Sequence, residues 1–494
     1  MKPQLRTLCR ALFLTVVASH TAVAQLINIR TAPVSVGEQF YTFPSRLMGM
    51  GGGMALRDLE ADPFSNPATG SRINGAILSG TPTLYYLPQE SGFGRTMPVT
   101  IMGSSATSFG ALSLAAQELE SAHSSFQTSL AGKSFDRFSH NFYSFGMLGQ
   151  KFEKEHIAVA ISASHAKLDA LHMVDLLYPD AVAIDQGGGI TDLRLGFVKE
   201  YDSTRSLEAV VVRNHVDITH DVTYIDNPWR WGMDPATPIP TPKPRVEHNQ
   251  DKTTTWGAHL AYQARSADSK WHFGTYGTAN TKSHPKIPNY SFSHIPRDPG
   301  NSLAFAAGVG AARVATSNTW AFDFAYMPMW TSTWAEAATP TTTRTGKVIP
   351  VGGPTIENEF VFSNTDFHFG WMHNFDDANI QLGMNLLHVN YYLDQYDNVN
   401  ETPHQLDESW TEITLSWGFA IDLGRFEARY FGHHKGGGVN FGGMEMRAPI
   451  VNVPDAGGPD IVSAPNATFG AMTVQPTVVV IHQFGFSVPI GRKR

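Results

Sequence analysis

Large apolar residues alternate one for one with small or polar residues along most of this chain. In "WAFDFAYM", Trp320, Phe322, Phe324 and Tyr326 fall on one side and Ala321, Asp323 and Ala325 on the other. In "TEITLSWGFAID", Ile413, Leu415, Trp417, Phe419 and Ile421 alternate with Glu412, Thr414, Ser416, Gly418, Ala420 and Asp422. "TDFHFGWMHNF" and "TTWGAHLAYQAR" repeat the pattern, opposing Phe367, Phe369 and Trp371 to Asp366, His368 and Gly370, and Trp256 and Leu260 to His259. Period-two alternation belongs to an extended strand whose two faces meet different surroundings. Here one face is oily and aromatic, and the other is small or polar.

A soluble sandwich also alternates, so the connections decide. Strands are expected near 76–88, 97–105, 108–117, 140–151, 156–168, 190–201, 205–217, 252–266, 269–284, 302–315, 317–334, 358–374, 378–394, 408–422, 424–436 and 474–488. Merging or displacing the marginal early strands would leave fourteen. Tight turns such as "EKE", "DST" and "AD" alternate with long segments rich in Pro, Gly, Asn and Thr near 118–139, 169–189, 218–251, 285–301, 335–357, 395–407 and 437–473. Short turns at one end and long loops at the other define an all-β, transmembrane antiparallel β-barrel of the outer-membrane type. The strands are also longer than the soluble mode of about 5–6 residues. Nothing approaches the run of about 18 apolar residues that a spanning helix needs, and no blade-length repeat supports a propeller. Trp330, Trp334, Tyr391, Tyr392, Trp229 and Trp231 are candidates for interfacial girdles. With 16% charged residues and a net charge of −8, the chain lacks the basic surface that nucleic acid requires.

Residues 1–24 read as a signal peptide: Lys2, Arg6 and Arg10 precede the apolar run 11–18, and Ala22 to Ala24 fit a cleavage site. The single cysteine, Cys9, lies in that leader, so no disulfide is expected. The expected organisation is then a 25–74 periplasmic or plug segment, a 75–488 barrel and a basic tail over 489–494. Outer-membrane barrels commonly end on an aromatic residue, whereas this chain ends "GRKR"; Phe484 and Phe486 are the nearest aromatic positions.

The stretch "SRLMGMGGGMALRDLEADPFSNPATGSR", residues 45–72, is too polar for a core helix and too irregular for a strand. Gly49, Gly51, Gly52 and Gly53 permit positive φ and close approach to an inner wall, and Gly52 is the position where a bulky residue is expected to expel the segment. Asp58 and Asp62 supply acids, and Asn66-Pro67-Ala68 supplies a turn into the first strand. No Gly-Lys-Ser/Thr accompanies the glycines, so they do not read as a phosphate loop. Glycines, a small residue at Ala55, acids and a closing Asn-Pro-Ala resemble the N-terminal pattern of the long-chain fatty-acid transporter (FadL-type) barrels and of the related PorV-type barrels of secretion systems. The resemblance is sharp over some 25 residues and general over the rest. It implies a segment folded back into the lumen as a plug.

Inward candidates on the strands are Asp323, Asp366, His368, Glu412, Asp422, Glu427, Arg429 and His259. Ser162, Ser164 and His165 offer a weak nucleophile set, and His433 with His434 a weak metal pair, more simply read as part of a surface loop. Neither spacing is specific. No enzyme activity, cofactor or metal is therefore expected. The expected function is passive uptake of a hydrophobic small molecule through a plugged lumen in the outer membrane, surrounded by lipid. The alternative is a barrel that binds protein partners of a secretion system or the periplasm.

Overall fold

A computed structural model describes residues 44–87, 92–121, 138–169, 181–225, 244–283, 287–289, 301–337, 339–439 and 479–490. The signal peptide, Trp229, Trp231 and the end of the basic tail lie outside the described residues. Sixteen antiparallel strands close into one barrel. They are β1 (Gly75–Gly80 and Thr83–Leu87, broken at Thr81-Pro82), β2 (Gly92–Ser104), β3 (Ser108–Ser121), β4 (Phe138–Phe152), β5 (Ile157–Lys167) and β6 (Ala181–Glu200). β7 (Arg205–Ile225), β8 (Pro244–Arg265), β9 (Trp271–Ser283), β10 (Asn301–Val314) and β11 (Asn318–Ala337) follow. β12 (Pro354–Asn374), β13 (Ala378–Asp397), β14 (Thr402–Asp422), β15 (Glu427–Val439) and β16 (Val479–Ile490) complete the wall. Each strand pairs with its neighbour in sequence, and β1 closes the ring on β16 with Ala76 opposite Ile490 and Gly80 opposite Phe486. All sixteen expected strands are present, which settles the count against fourteen.

The alternation read from sequence becomes the outside and inside of this wall. Phe322, Phe324, Leu415 and Phe419 are exposed on the outer face, as are Phe484 and Phe486. Ala321, Ala325, Ser416 and Ala420 are buried on the inner face. Outward aromatics gather near the short turns, where Trp320 lies tilted at 5.9 Å from Trp371 and Trp271 stacks at 6.4 Å from Phe273. Trp330 is exposed toward the other end. Among the described residues no helix is long and apolar enough to span a bilayer.

Several strands run further than expected. β6 starts at Ala181 rather than 190, β7 reaches Ile225 rather than 217, and β8 starts at Pro244 rather than 252. The expected 395–407 loop shrinks to residues 398–401, held by Asp397, whose Oδ1 accepts from Val399 N and Asn400 N, both at 2.8 Å. The strict alternation of short and long connections therefore fails at 88–91 and 398–401. These extensions carry no sustained oily/polar alternation: β6 opens on Ala181 to Ile184 followed by Asp185, Gln186 and three glycines, and Val246 stands alone among polar residues at the start of β8; ladder hydrogen bonds carry the strands on. β16 likewise continues to Ile490, two residues into the expected tail. One irregularity has a covalent cause. Pro328 has no N–H to donate, and the β10–β11 ladder is interrupted between the pairs Ala304–Met329 and Ala307–Tyr326.

The apolar core lies inside the ring, near the short-turn end. Phe64, Ala68 and Ile73 of the N-terminal segment pack there against Met102, Phe109, Phe145 and Met147 of β2 to β4.

Candidate functional site: the N-terminal segment and the inner wall

Residues 44–73 fold by local hydrogen bonding, because so short a segment has no core of its own. Asp58 organises the first half. Its Oδ2 accepts from Ser45 Oγ at 2.6 Å, Arg46 N at 2.7 Å and Leu47 N at 3.2 Å, while Oδ1 accepts from Glu60 N and Ala61 N. Asp62 opens a single helical turn, Asp62–Ser65, and its Oδ2 accepts from Asp58 N at 3.0 Å. Removal from water, with Asp58 and Glu208 close by, holds the Asp62 carboxyl well above the usual aspartate range. Asn66 caps the next turn, Pro67–Arg72, by accepting from Ala68 N at 3.1 Å, and Pro67 supplies the fixed φ of the first helical position.

The segment touches both sides of the ring. Toward β6 and β7, Asn66 Nδ2 donates to Phe197 O and Glu208, and Arg194 Nη1 donates to Ser65 O at 2.9 Å. Arg72 binds Glu200 at 2.7 Å and Glu208 at 2.6 Å, and Arg57 joins Glu200, Ser206 and, on β8, Gln263. Across the lumen, Met54 N donates to Asp323 Oδ2 at 3.0 Å, and Gln381 Nε2 donates to Arg46 O at 2.8 Å. His368 lies within hydrogen-bond distance of two acceptors, Met50 O at 2.6 Å and Asp323 Oδ2 at 2.8 Å. On β15, Arg429 donates to Glu60 Oε1 at 2.8 Å and Oε2 at 3.1 Å, to Pro44 O at 3.0 Å and to Ser487 Oγ at 3.0 Å. The Arg429 and Glu60 side chains are each 1% exposed. Burial alone would raise the Glu60 carboxyl, but the hydrogen bond and charge of Arg429 outweigh it and hold Glu60 below the ordinary range.

The predicted glycines separate into two kinds. A Cβ on Gly49 would stand 2.6 Å from Gly418 Cα, and one on Gly51 would stand 3.0 Å from His368 Nε2, so the wall is close at both. Gly52 has open space around it, and the reason for glycine there is its φ of 98°. The expectation that bulk at Gly52 meets the wall is corrected accordingly: strain, not collision, is what a substitution would bring. A Cβ on Gly53 would stand 3.2 Å from Leu56 Cδ1, a tight contact that a flexible side chain can relieve, and 3.5 Å from Ala321 Cβ, an ordinary one.

Of the inward candidates, Asp323, His368 and Arg429 bind the segment directly. Glu427 supports Arg429 at 2.5 Å and meets Arg46 at 3.2 Å. Asp366 accepts from Asn385 at 2.5 Å, Glu412 is buried on the inner face, and His259 bonds Thr278 Oγ1 at 2.8 Å beside the Tyr276 ring. Asp422 is placed elsewhere. It is the last residue of β14, exposed beside the 423–426 turn, where it accepts from Gly424 N at 2.7 Å.

Ser162 and Ser164 are buried inward while His165 is exposed outward and bonded to Thr191, so the strand places them on opposite faces. His433 and His434 belong to β15 rather than to a loop, and adjacent strand residues point apart. Among the described residues no three metal-ligating side chains cluster.

Sequence reasoning missed Glu60, Arg57 and Arg72, which were unremarkable charges until paired. It also missed the receiving glycines of the wall. A Cβ at Gly274 would meet Met54 O at 2.8 Å, and one at Gly370 would meet Met50 O at 2.9 Å. The only signal was a glycine at an inward position of an otherwise regular strand.

A closed sixteen-strand ring with an apolar outer belt and a polar, charged interior is a transmembrane β-barrel. No protein-family model matches the chain, and no curated protein matches it. Solved structures similar to it include a Pseudomonas aeruginosa FadL homologue, at 10% identity and TM-score 0.41 over 95% of this chain and all of that one. The CymD monoaromatic hydrocarbon channel gives 10% identity and TM-score 0.39 over 92% and 99%. CdiB from Acinetobacter baumannii gives 8% and 0.41, and this chain spans 84% of its own length and 60% of that protein's.

Proposed function

We propose that this protein is an outer-membrane channel for passive uptake of hydrophobic small molecules, with residues 44–73 acting as its plug. The observation that carries the reading is the docking of that segment against opposite walls, through Arg72 and Phe64 on one side and His368 and Arg429 on the other. A leader that only bound a periplasmic partner would need neither anchor. Beyond the segment the inner wall carries a buried apolar patch, in which Phe360 and Phe362 stack at 5.8 Å beside Met329, Val389 and Leu393, and such a patch suits apolar cargo. Transport needs no catalytic group and no energy input, only a lower barrier for a molecule that crosses a polar leaflet slowly. The likeness to the fatty-acid transporter pattern in residues 45–72 supports the same reading.

Deletion of residues 45–65 tests it. Folding of both proteins is first confirmed by heat-dependent gel mobility, since β1–β16 closure does not use the deleted residues. The deletion is expected to convert a nearly silent protein into one with single-channel conductance in planar bilayers. It should also accelerate entry of an alkylbenzene into liposomes. Equal conductance in both proteins removes the plug and favours a barrel that binds protein partners.

A further inference from the structure

On the outer face a furrow of about 650 Å³ runs across β7 to β11. Its floor is made of small residues, Ala209, Ala258, Gly277 and Ala307, and Phe305 and Tyr326 stand along it. Five adjacent strands make it about 19 Å long at roughly 4.8 Å per strand, and the strand tilt of about 35–45° carries it obliquely through the hydrocarbon core. All six positions belong to the outward, apolar set of their strands, so the furrow is continuous with the belt that meets lipid.

A charge stands beside it. Arg213 follows Val211 by two residues on the same face of β7, about 7 Å along the strand. Its guanidinium lies 5.8 Å from the ring of Trp256, which faces it on β8. Among the described residues no carboxylate pairs with it. Beyond Arg213 the outward face of β7 turns polar through His215 and Asp217, so the apolar belt on that strand ends at Arg213. A guanidinium at the edge of the hydrocarbon, steadied by an interfacial tryptophan, calls for an anion that lipid can supply, and its planar fork suits phosphate.

We infer that this face holds one phosphate-bearing membrane lipid, its phosphate on Arg213 and an acyl chain in the furrow. The inference is independent of what crosses the lumen, because none of these side chains contacts residues 44–73. A small floor is needed for an acyl chain to lie against the wall, and a lone cation is needed to hold its headgroup.

The test is native mass spectrometry of the full protein released from nanodiscs of phosphatidylcholine doped with either phosphatidylglycerol or diacylglycerol. The wild type is expected to retain one phosphatidylglycerol and no diacylglycerol. Arg213→Gln, which removes the charge, should lower retention about tenfold, the factor for one lost hydrogen bond to a charged group, and Ala307→Phe, which fills the furrow, should lower it about tenfold by displacing about two methylenes of the acyl chain. Arg313→Gln is the control, since Arg313 also stacks on a tryptophan, Trp271 at 6.0 Å, but away from the furrow near the short turns. It should retain lipid as the wild type does. Heat-dependent mobility verifies that every variant is folded. Retention unchanged in either Arg213→Gln or Ala307→Phe overturns the inference, as does equal retention of diacylglycerol. A dimer that carries no lipid in the wild type and becomes monomeric in Ala307→Phe overturns it too, by giving the furrow to a second copy.

Discussion

Arg429 and Glu60 show how a single pair decides whether the N-terminal segment stays docked. Each side chain is removed from water, and each keeps one further partner, Arg46 at 2.8 Å for Glu60 and Glu427 at 2.5 Å for Arg429, so breaking the pair leaves a buried charge only partly compensated. Arg429→Met should therefore weaken docking by about 3 kcal/mol, the low end for a broken buried pair, while the double variant Glu60→Gln/Arg429→Met should recover much of that loss. A nitroxide at Leu59→Cys, an exposed position, reads the docked and mobile fractions. The same pair sets a pH limit. Because the docked Glu60 carboxyl sits below its ordinary 4.5, its contribution is complete above that value and fades as pH falls through the lower, docked value. Asp62 acts in the opposite sense, its raised carboxyl favouring the docked state at low pH, so the Glu60 share is the acid gain in label mobility that Glu60→Gln removes. Glycines make a second contrast. Gly49→Val meets the backbone of Gly418 and should undock the segment, whereas Gly52→Ala meets nothing and should cost only the roughly 1–2 kcal/mol of a left-handed residue.

At the scale of strands, the legible part was whatever the bilayer imposes. One face must satisfy hydrocarbon and the other a polar lumen, so Phe322, Leu415 and Phe419 declared their direction in the sequence, and the structure places them outward. The strand extensions into β6, β7 and β8 were not legible, because beyond the bilayer both faces meet water and the alternation disappears. Within the segment, the Asn66 cap and Pro67 turn were readable from local chemistry. Its partners Glu60, Arg57 and Arg72 were not, since their meaning lies in carboxylates and guanidiniums well over a hundred residues away. The outward assignment has its own test. Phe322 lies four residues from the short-turn end of β11 and Trp330 twelve, at the candidate girdle, so depth separates them. Phe322→Arg should cost about 2–4 kcal/mol in refolding titrations and Trp330→Arg about 0–1, following the depth dependence of a charge on the lipid face. Equal costs would contradict the tilt and depth assigned to this strand.

For the molecule as a whole, wall and segment carry complementary charge, and their separation should be visible electrically. Glu200 and Glu208 are neutralised by Arg57 and Arg72, and Glu427 by Arg429 and Arg46. Deleting 45–65 removes Arg46 and Arg57 while leaving these carboxylates, and Asp323, Asp366 and Glu412 remain on the inner face. Arg194 is already engaged by Asp192. Arg429 loses Glu60 but keeps Glu427, so the emptied lumen retains more acids than bases among its described residues. A pore with an acidic wall concentrates cations, and the effect weakens as screening shortens from about 30 Å at 0.01 M salt to about 3 Å at 1 M. The deletion channel should therefore prefer K⁺ to Cl⁻ in a KCl gradient, most strongly in dilute salt. Glu200→Gln/Glu208→Gln in that background should reduce the preference, and the reversal potential reports both. An anion-selective deletion channel would mean that the lumen's field is set by residues other than those that hold the segment.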